Sequence, residues 1–87
     1  MTLQGSWKVR RLAGLLPPGV TKEIDGDRGR TRLFGVHFGA FHVDGGRLVY
    51  DFWPIVDLVE PDPDRAGAFV GRGTVFGISF CRFRLER

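Results

Sequence analysis

A chain of 87 residues, 43% hydrophobic and 26% charged, is long enough for one domain and too short for two independent cores. That composition excludes wholesale disorder, and a formal net charge of +3 spread over the whole chain is not the concentrated basic stripe of a dedicated nucleic-acid binder. Eight Phe and thirteen Gly, against one Met and one Tyr, point to short strands separated by bends.

Residues 5 to 12 alternate, with Trp7 and Val9 on one face and Lys8 and Arg10 on the other, as in a half-buried strand. From Ala13 to Val20 the chain holds Leu15-Leu16 and then Pro17-Pro18-Gly19, which predicts a loop or a single helical turn lidding one end of a barrel. A short strand over Val20 to Ile24 places Val20 and Ile24 on one face. Asp25-Gly26-Asp27-Arg28-Gly29-Arg30 reads as a polar turn. Thr31 to Phe38 reads as a strand with Phe34, Val36 and Phe38 on one side. Phe41 and Val43 continue on the opposite parity, so a bulge or tight turn falls at Gly39-Ala40.

Asp44-Gly45-Gly46, between Phe41-His42-Val43 and Leu48-Val49-Tyr50, is the strongest hairpin signal. The strand from Arg47 runs into Phe52-Trp53-Pro54, where proline stops it, bulges it or marks an edge. Ile55 to Glu60 extends beyond, and Pro61 to Gly67 is a loop. Ala68 to Phe76 reads as a strand in which Gly71 and Gly73 permit a sharp bend or let a neighbouring ring lie on bare backbone. Gly77-Ile78 turns the chain into a last strand, where Cys81, Phe83 and Leu85 alternate with Arg82 and Arg84.

These elements predict an all-β fold: an antiparallel meander of about six strands forming a small barrel or strongly curled sheet, one domain over residues 1–87. Its core includes Trp7, Phe34, Val36, Phe41, Val75 and Phe83. There is no helical period and no repeat at a solenoid period. The single cysteine, Cys81, excludes an intrachain disulfide, and its phase with Phe83 and Leu85 makes it a small core residue. The opening residues carry no long apolar run, and no stretch approaches the ~20 apolar residues of a membrane span. The expectation is a cytoplasmic protein with no signal peptide and no membrane partner.

The run Leu3-Gln4-Gly5-Ser6-Trp7-Lys8-Val9 resembles the Gly-x-Trp opening of lipocalins and related calycin barrels. In that superfamily the tryptophan sits near the closed end of an up-and-down barrel, under an arginine or lysine from the last strand. The resemblance implies a cation–π pair of Trp7 with Arg82 or Arg84, and a small apolar ligand inside the barrel. The chain departs from the family in length, because an eight-stranded barrel is about the smallest that holds a ligand, and about six strands would be filled by side chains alone. A shortened and filled relative, two copies that join their sheets, and an unrelated small barrel all fit.

The leading functional expectation is a non-enzymatic binding module that takes a small apolar ligand, in one barrel or between the sheets of a homodimer. Phe38, Tyr50, Phe52 and Trp53 are its ligand-facing residues. A second reading is a small barrel binding single-stranded nucleic acid through Arg72, Phe76, Phe80, Arg82 and Arg84. A third is a homo-oligomeric or protein-interaction domain anchored by Phe52 or Trp53. No catalytic constellation, cofactor motif or metal-ligand pattern stands out. His37 and His42, with Asp51 or Asp57, carry no recognisable ligand spacing.

Overall fold

Period-two alternation gives each segment one apolar face, and eight such segments wrap those faces around a common axis. The computed structural model describes residues 3–87. Its strands are β1 (Gly5–Gly14), β2 (Val20–Asp25), β3 (Arg28–Leu33), β4 (Val36–Asp44), β5 (Arg47–Tyr50), β6 (Ile55–Pro61), β7 (Phe69–Val75) and β8 (Ile78–Glu86). Each pairs antiparallel with the next, and β8 returns to pair with β1, so the meander closes into a barrel. Closure removes both sheet edges, which an open sheet would expose.

The strand count is eight, not about six. The polar turn expected over residues 25–30 is only Gly26-Asp27, and β3 begins at Arg28. The expected strand Thr31–Phe38 is cut by a two-residue turn, Phe34-Gly35, with φ of 50° and 80°. Phe76-Gly77 repeats the device between β7 and β8, with φ of 49° and 78°. Both dipeptides take the all-positive conformation of a type I′ hairpin, whose twist matches the flanking strands. A strand-forming Phe in the first turn position hid the first of these hairpins from a reading based on propensity. In consequence Phe34 and Val36 are exposed and Val75 is only half-buried, so these three are not core.

The core is centred on Phe41, Leu48, Phe83 and Leu85, all essentially without solvent contact. Burying each large side chain contributes about 1.5–3 kcal/mol. Gly29 faces Phe41 across β3 and β4, and Gly71 faces Phe83 across β7 and β8. In each case the ring lies where a Cβ would stand: such an atom would come 2.5 Å from Phe41 Cε1 at Gly29 and 2.8 Å from Phe83 Cζ at Gly71. The bulges are also equivalent, Phe38 being the unpaired residue in β4 and Phe80 in β8. The two hairpins thus share one pattern, Phe-Gly-Val/Ile-x-Phe-x-x-Phe, from Phe34 to Phe41 and from Phe76 to Phe83. The barrel carries this hairpin motif twice, once in β3–β4 and once in β7–β8.

Strand alternation places the connections β1–β2, β3–β4, β5–β6 and β7–β8 at one end, the open end. The chain termini share the other with the β2–β3, β4–β5 and β6–β7 connections. There Trp7 is buried edge-on against Phe69, with ring centroids 5.3 Å apart, and its Nε1–H donates to Leu3 O at 2.9 Å. The guanidinium that lies over the indole, 4.0 Å from the ring centroid, belongs to Arg87, not to Arg82 or Arg84. Parity explains the difference. Cys81, Phe83 and Leu85 point inward, so the next residue of that row, Arg87, reaches the inward-facing Trp7. Arg82 is exposed on the outer wall, and Arg84 Nε donates to Asp62 Oδ2 at 2.9 Å.

Candidate functional site

An up-and-down barrel sends every second residue inward, and toward the open end those residues do not fill the interior. A cavity of about 180 Å³ remains. Its walls are almost wholly apolar, supplied by Val9, Val20, Leu33, Phe38, Ile55 and Phe80, and Leu15-Leu16-Pro17 of the β1–β2 connection borders it. Larger depressions, such as one of about 340 Å³ between β6 and β7 lined by Glu60, Arg72 and Arg82, are shallow and open on the outer wall. The expectation that side chains alone fill the middle does not hold, because the two added strands widen the barrel.

The cavity floor carries a buried polar cluster. Lys22 is 3% exposed and Asp57 5% exposed, from β2 and β6 on opposite sides of the barrel. Lys22 Nζ donates to Thr31 Oγ1 at 2.8 Å and to Tyr50 OH at 2.7 Å, and it stands 3.0 Å from Asp57 Oδ2. It lies between the Phe41 and Phe83 rings, 5.3 and 5.9 Å from their centroids. Burial alone would lower the ammonium's pKa, but the Asp57 carboxylate and the Tyr50 hydroxyl together hold it above the ordinary 10.5. Burial pushes the Tyr50 phenol above its ordinary 10.0, although Lys22 pulls the other way. At neutral pH Lys22 is therefore an ammonium, paired with Asp57 and set beside two neutral hydroxyls. Such a lysine is a poor nucleophile, its lone pair being protonated.

Counting hydrogens defines what the floor offers. All three ammonium hydrogens of Lys22 have acceptors. Thr31 Oγ1 and Tyr50 OH lie 2.5 Å apart and share one hydrogen bond, in which either can donate. The remaining hydroxyl hydrogen has no acceptor among the described residues. The floor therefore has that hydroxyl hydrogen to spare, together with acceptor sites on Asp57, whose carboxylate has no partner but Lys22 among the described residues.

Of the ligand-facing residues expected from sequence, Phe38 and Tyr50 line the cavity, their rings edge-on with centroids 6.4 Å apart. Trp53 lies outside it, stacked on Phe38 at 5.4 Å and 11°, and covers Gly39. Phe52 is 88% exposed on the rim. The five residues of the nucleic-acid reading do not share a face: Phe76 is at a hairpin tip, Phe80 lines the cavity, Arg84 is tied to Asp62, and Arg72 and Arg82 are partners on the outer wall. Cys81 also lines the cavity, and burial pushes its thiol above the ordinary 9.0. No group of three His, Cys, Asp or Glu among the described residues could hold a metal ion; His42 instead stands 3.5 Å from Asp51.

Lys22 and Asp57 are what a reading by residue type missed. Lys22 shares the parity of Val20 and Ile24, and Asp57 that of Ile55 and Val59. Inward parity was the available signal, since a charge on an inward row of a small barrel must find a partner inside. Compared with protein-family models, with curated proteins and with solved structures, the chain matches none.

Proposed function

We propose that this barrel is a non-enzymatic binding module for a small, neutral, largely apolar molecule that carries one hydrogen-bonding group, such as a ketone, an ester or an alcohol. The observation that carries the reading is the apolar cavity over a hydrogen-bonding floor, where one hydroxyl hydrogen and the Asp57 carboxylate have capacity to spare. A volume of about 180 Å³ suits one ring or a short alkyl chain, since a dry cavity of about 150 Å³ accepts benzene. A carboxylate ligand is disfavoured, because it would be buried beside Asp57 while Lys22 already has its counter-ion. Eight-strand closure, the Gly5-Ser6-Trp7 opening and an arginine across Trp7 support a calycin-like assignment of fold and role.

The test is a titration followed by protein NMR, with cyclohexanone, methylcyclohexane and cyclohexanecarboxylate as probes. Cyclohexanone should shift the Phe38, Tyr50 and Cys81 signals and bind about two- to tenfold more tightly than the hydrocarbon, the worth of one net hydrogen bond. The carboxylate should bind most weakly. If no probe perturbs the cavity residues of the folded protein at millimolar concentration, the reading fails.

A further inference from the structure

Every large hydrophobic residue left exposed among the described residues lies in, or within three residues of, the four open-end connections. Each connection presents at least one: Leu15, Phe34, Phe52 and Phe76. The other end presents none. Two of these residues are costly for folding twice over. Phe34 and Phe76 are 70% and 81% exposed, and both hold positive φ, where Asn, Asp or Gly is the usual choice. The Phe34 ring lies over Gly19 within the fold, but Phe76 gains no comparable burial, and a sequence that breaks a local rule at such a tip does so for something the tip touches.

Charge is distributed along the same axis. Asp25, Asp27, Asp44, Glu60, Asp62 and Asp64 sit at the end away from the apolar tips. The open-end connections carry one carboxylate, Asp51, and Arg28 neutralises it at 2.6 Å. Behind the Phe76 tip, Arg72 and Arg82 are direct cross-strand partners, both exposed and neither in an ion pair among the described residues, with Glu60 the one carboxylate bordering the same depression. Like charges placed opposite each other repel, so this pair is arranged for an external anion.

We infer that the open end is a docking surface for an anionic lipid bilayer, with the four apolar tips entering the interface. Arg72 lies three residues below Val75, about 10 Å along the strand and about 7–8 Å along the barrel axis at the usual tilt. Interfacial apolar groups sink about 5–10 Å, which brings both arginines to the phosphate layer. The acidic end is turned away from the membrane. Charged residues on the outer wall, among them Lys8, Arg10 and Arg30, do not suit lipid, so contact is through this end alone. Separate protruding tips also suit a fluid interface better than a flat protein face. Because the cavity opens at this end, the docked barrel would receive apolar molecules from the lipid phase; docking itself does not depend on that cavity being a ligand site.

The experiment is flotation of the full chain with vesicles of phosphatidylcholine alone and of equimolar phosphatidylcholine and phosphatidylglycerol. The protein should float with the anionic vesicles and much less with the neutral ones. Phe34→Asn and Phe76→Asn should each lower binding about tenfold, since binding scales with the apolar area inserted. Asn-Gly favours the same type I′ turn, so Phe76→Asn should melt no lower than the parent, while Phe34→Asn also gives up its contact with Gly19; an unlowered Phe76→Asn separates lost docking from lost folding. Arg72→Gln with Arg82→Gln should abolish the preference for anionic vesicles. No flotation, or flotation unaltered in the double Asn variant, overturns the proposal. So would saturable binding to a single-stranded oligonucleotide, or a dimer that the Asn substitutions dissociate, if either occurred without vesicle binding. Cavity titration with cyclohexanone is unaffected by Phe76→Asn, so failure of docking and failure of ligand binding are separately visible.

Discussion

Removing either partner of the Lys22–Asp57 pair tests whether the barrel interior holds a charge pair away from water. At 3.0 Å the attraction is about 5–6 kcal/mol with an effective dielectric constant near 20, against a desolvation penalty of several kcal/mol per ion. The pair therefore comes close to breaking even, while a lone survivor keeps its penalty and loses its attraction. Asp57→Leu and Lys22→Met should each destabilise by about 3–5 kcal/mol. That is a large share of the roughly 4–13 kcal/mol expected for a domain of this length. The double variant should return to within about 1 kcal/mol of the parent, or exceed it. Urea unfolding of the four proteins gives the coupling energy directly. Coupling below about 1 kcal/mol would mean that water reaches the pair, and would refute the enclosed floor. The alkaline limb offers a second check. Lys22 titrates above its ordinary 10.5 and Tyr50 above its ordinary 10.0, so the folded state holds these protons more tightly than the unfolded chain. The stability they contribute is whole below about pH 10 and is lost as pH rises through the folded values. The double variant, which lacks the ammonium, should lose less stability over that range.

Arg87→Ala should lower stability by roughly 1 kcal/mol through the uncovered indole face and the lost bond to Gln4 O, a fall of about 4–8 °C in Tm. Arg82→Ala should change it by less than about 0.5 kcal/mol; equal melting temperatures for the two would remove the cap. Gly29→Ala and Gly71→Ala should each cost about 1–3 kcal/mol, because a methyl group would meet the Phe41 or Phe83 ring. Unchanged denaturation midpoints would show that the wall can give. Cys81 should react slowly with a thiol reagent at neutral pH and faster above pH 9, its thiol being buried and raised. Saturating cyclohexanone should slow that reaction further, and labelling at the rate of a free thiol would contradict the cavity's enclosure.

Much of the fold was legible because its cause is local. Side chains alternate along a strand by steric necessity, so the inward rows of β1 and β8 and the hairpin at Asp44-Gly45-Gly46 follow from residue order. The bulge near Gly39 follows from a change of parity, and the rings on Gly71 and Gly73 from the absence of a side chain there. The two-residue turns at Phe34 and Phe76 were less legible, because a strand former occupies a turn position. What fixed the strand number at eight was the tertiary demand that the barrel close. Parity alone singles out Arg87 over Arg82 and Arg84 as the cover for Trp7, once the inward row is followed to its end.

Sequence by itself determined that the chain is all-β and which residues share a face, because these depend on neighbours one or two positions away. Only the tertiary structure decided that Lys22 and Asp57 meet, that their cluster floors a cavity, and that the apolar tips gather at one end. Those facts join residues far apart in the chain, and only closure of β8 onto β1 brings opposite walls within 3.0 Å.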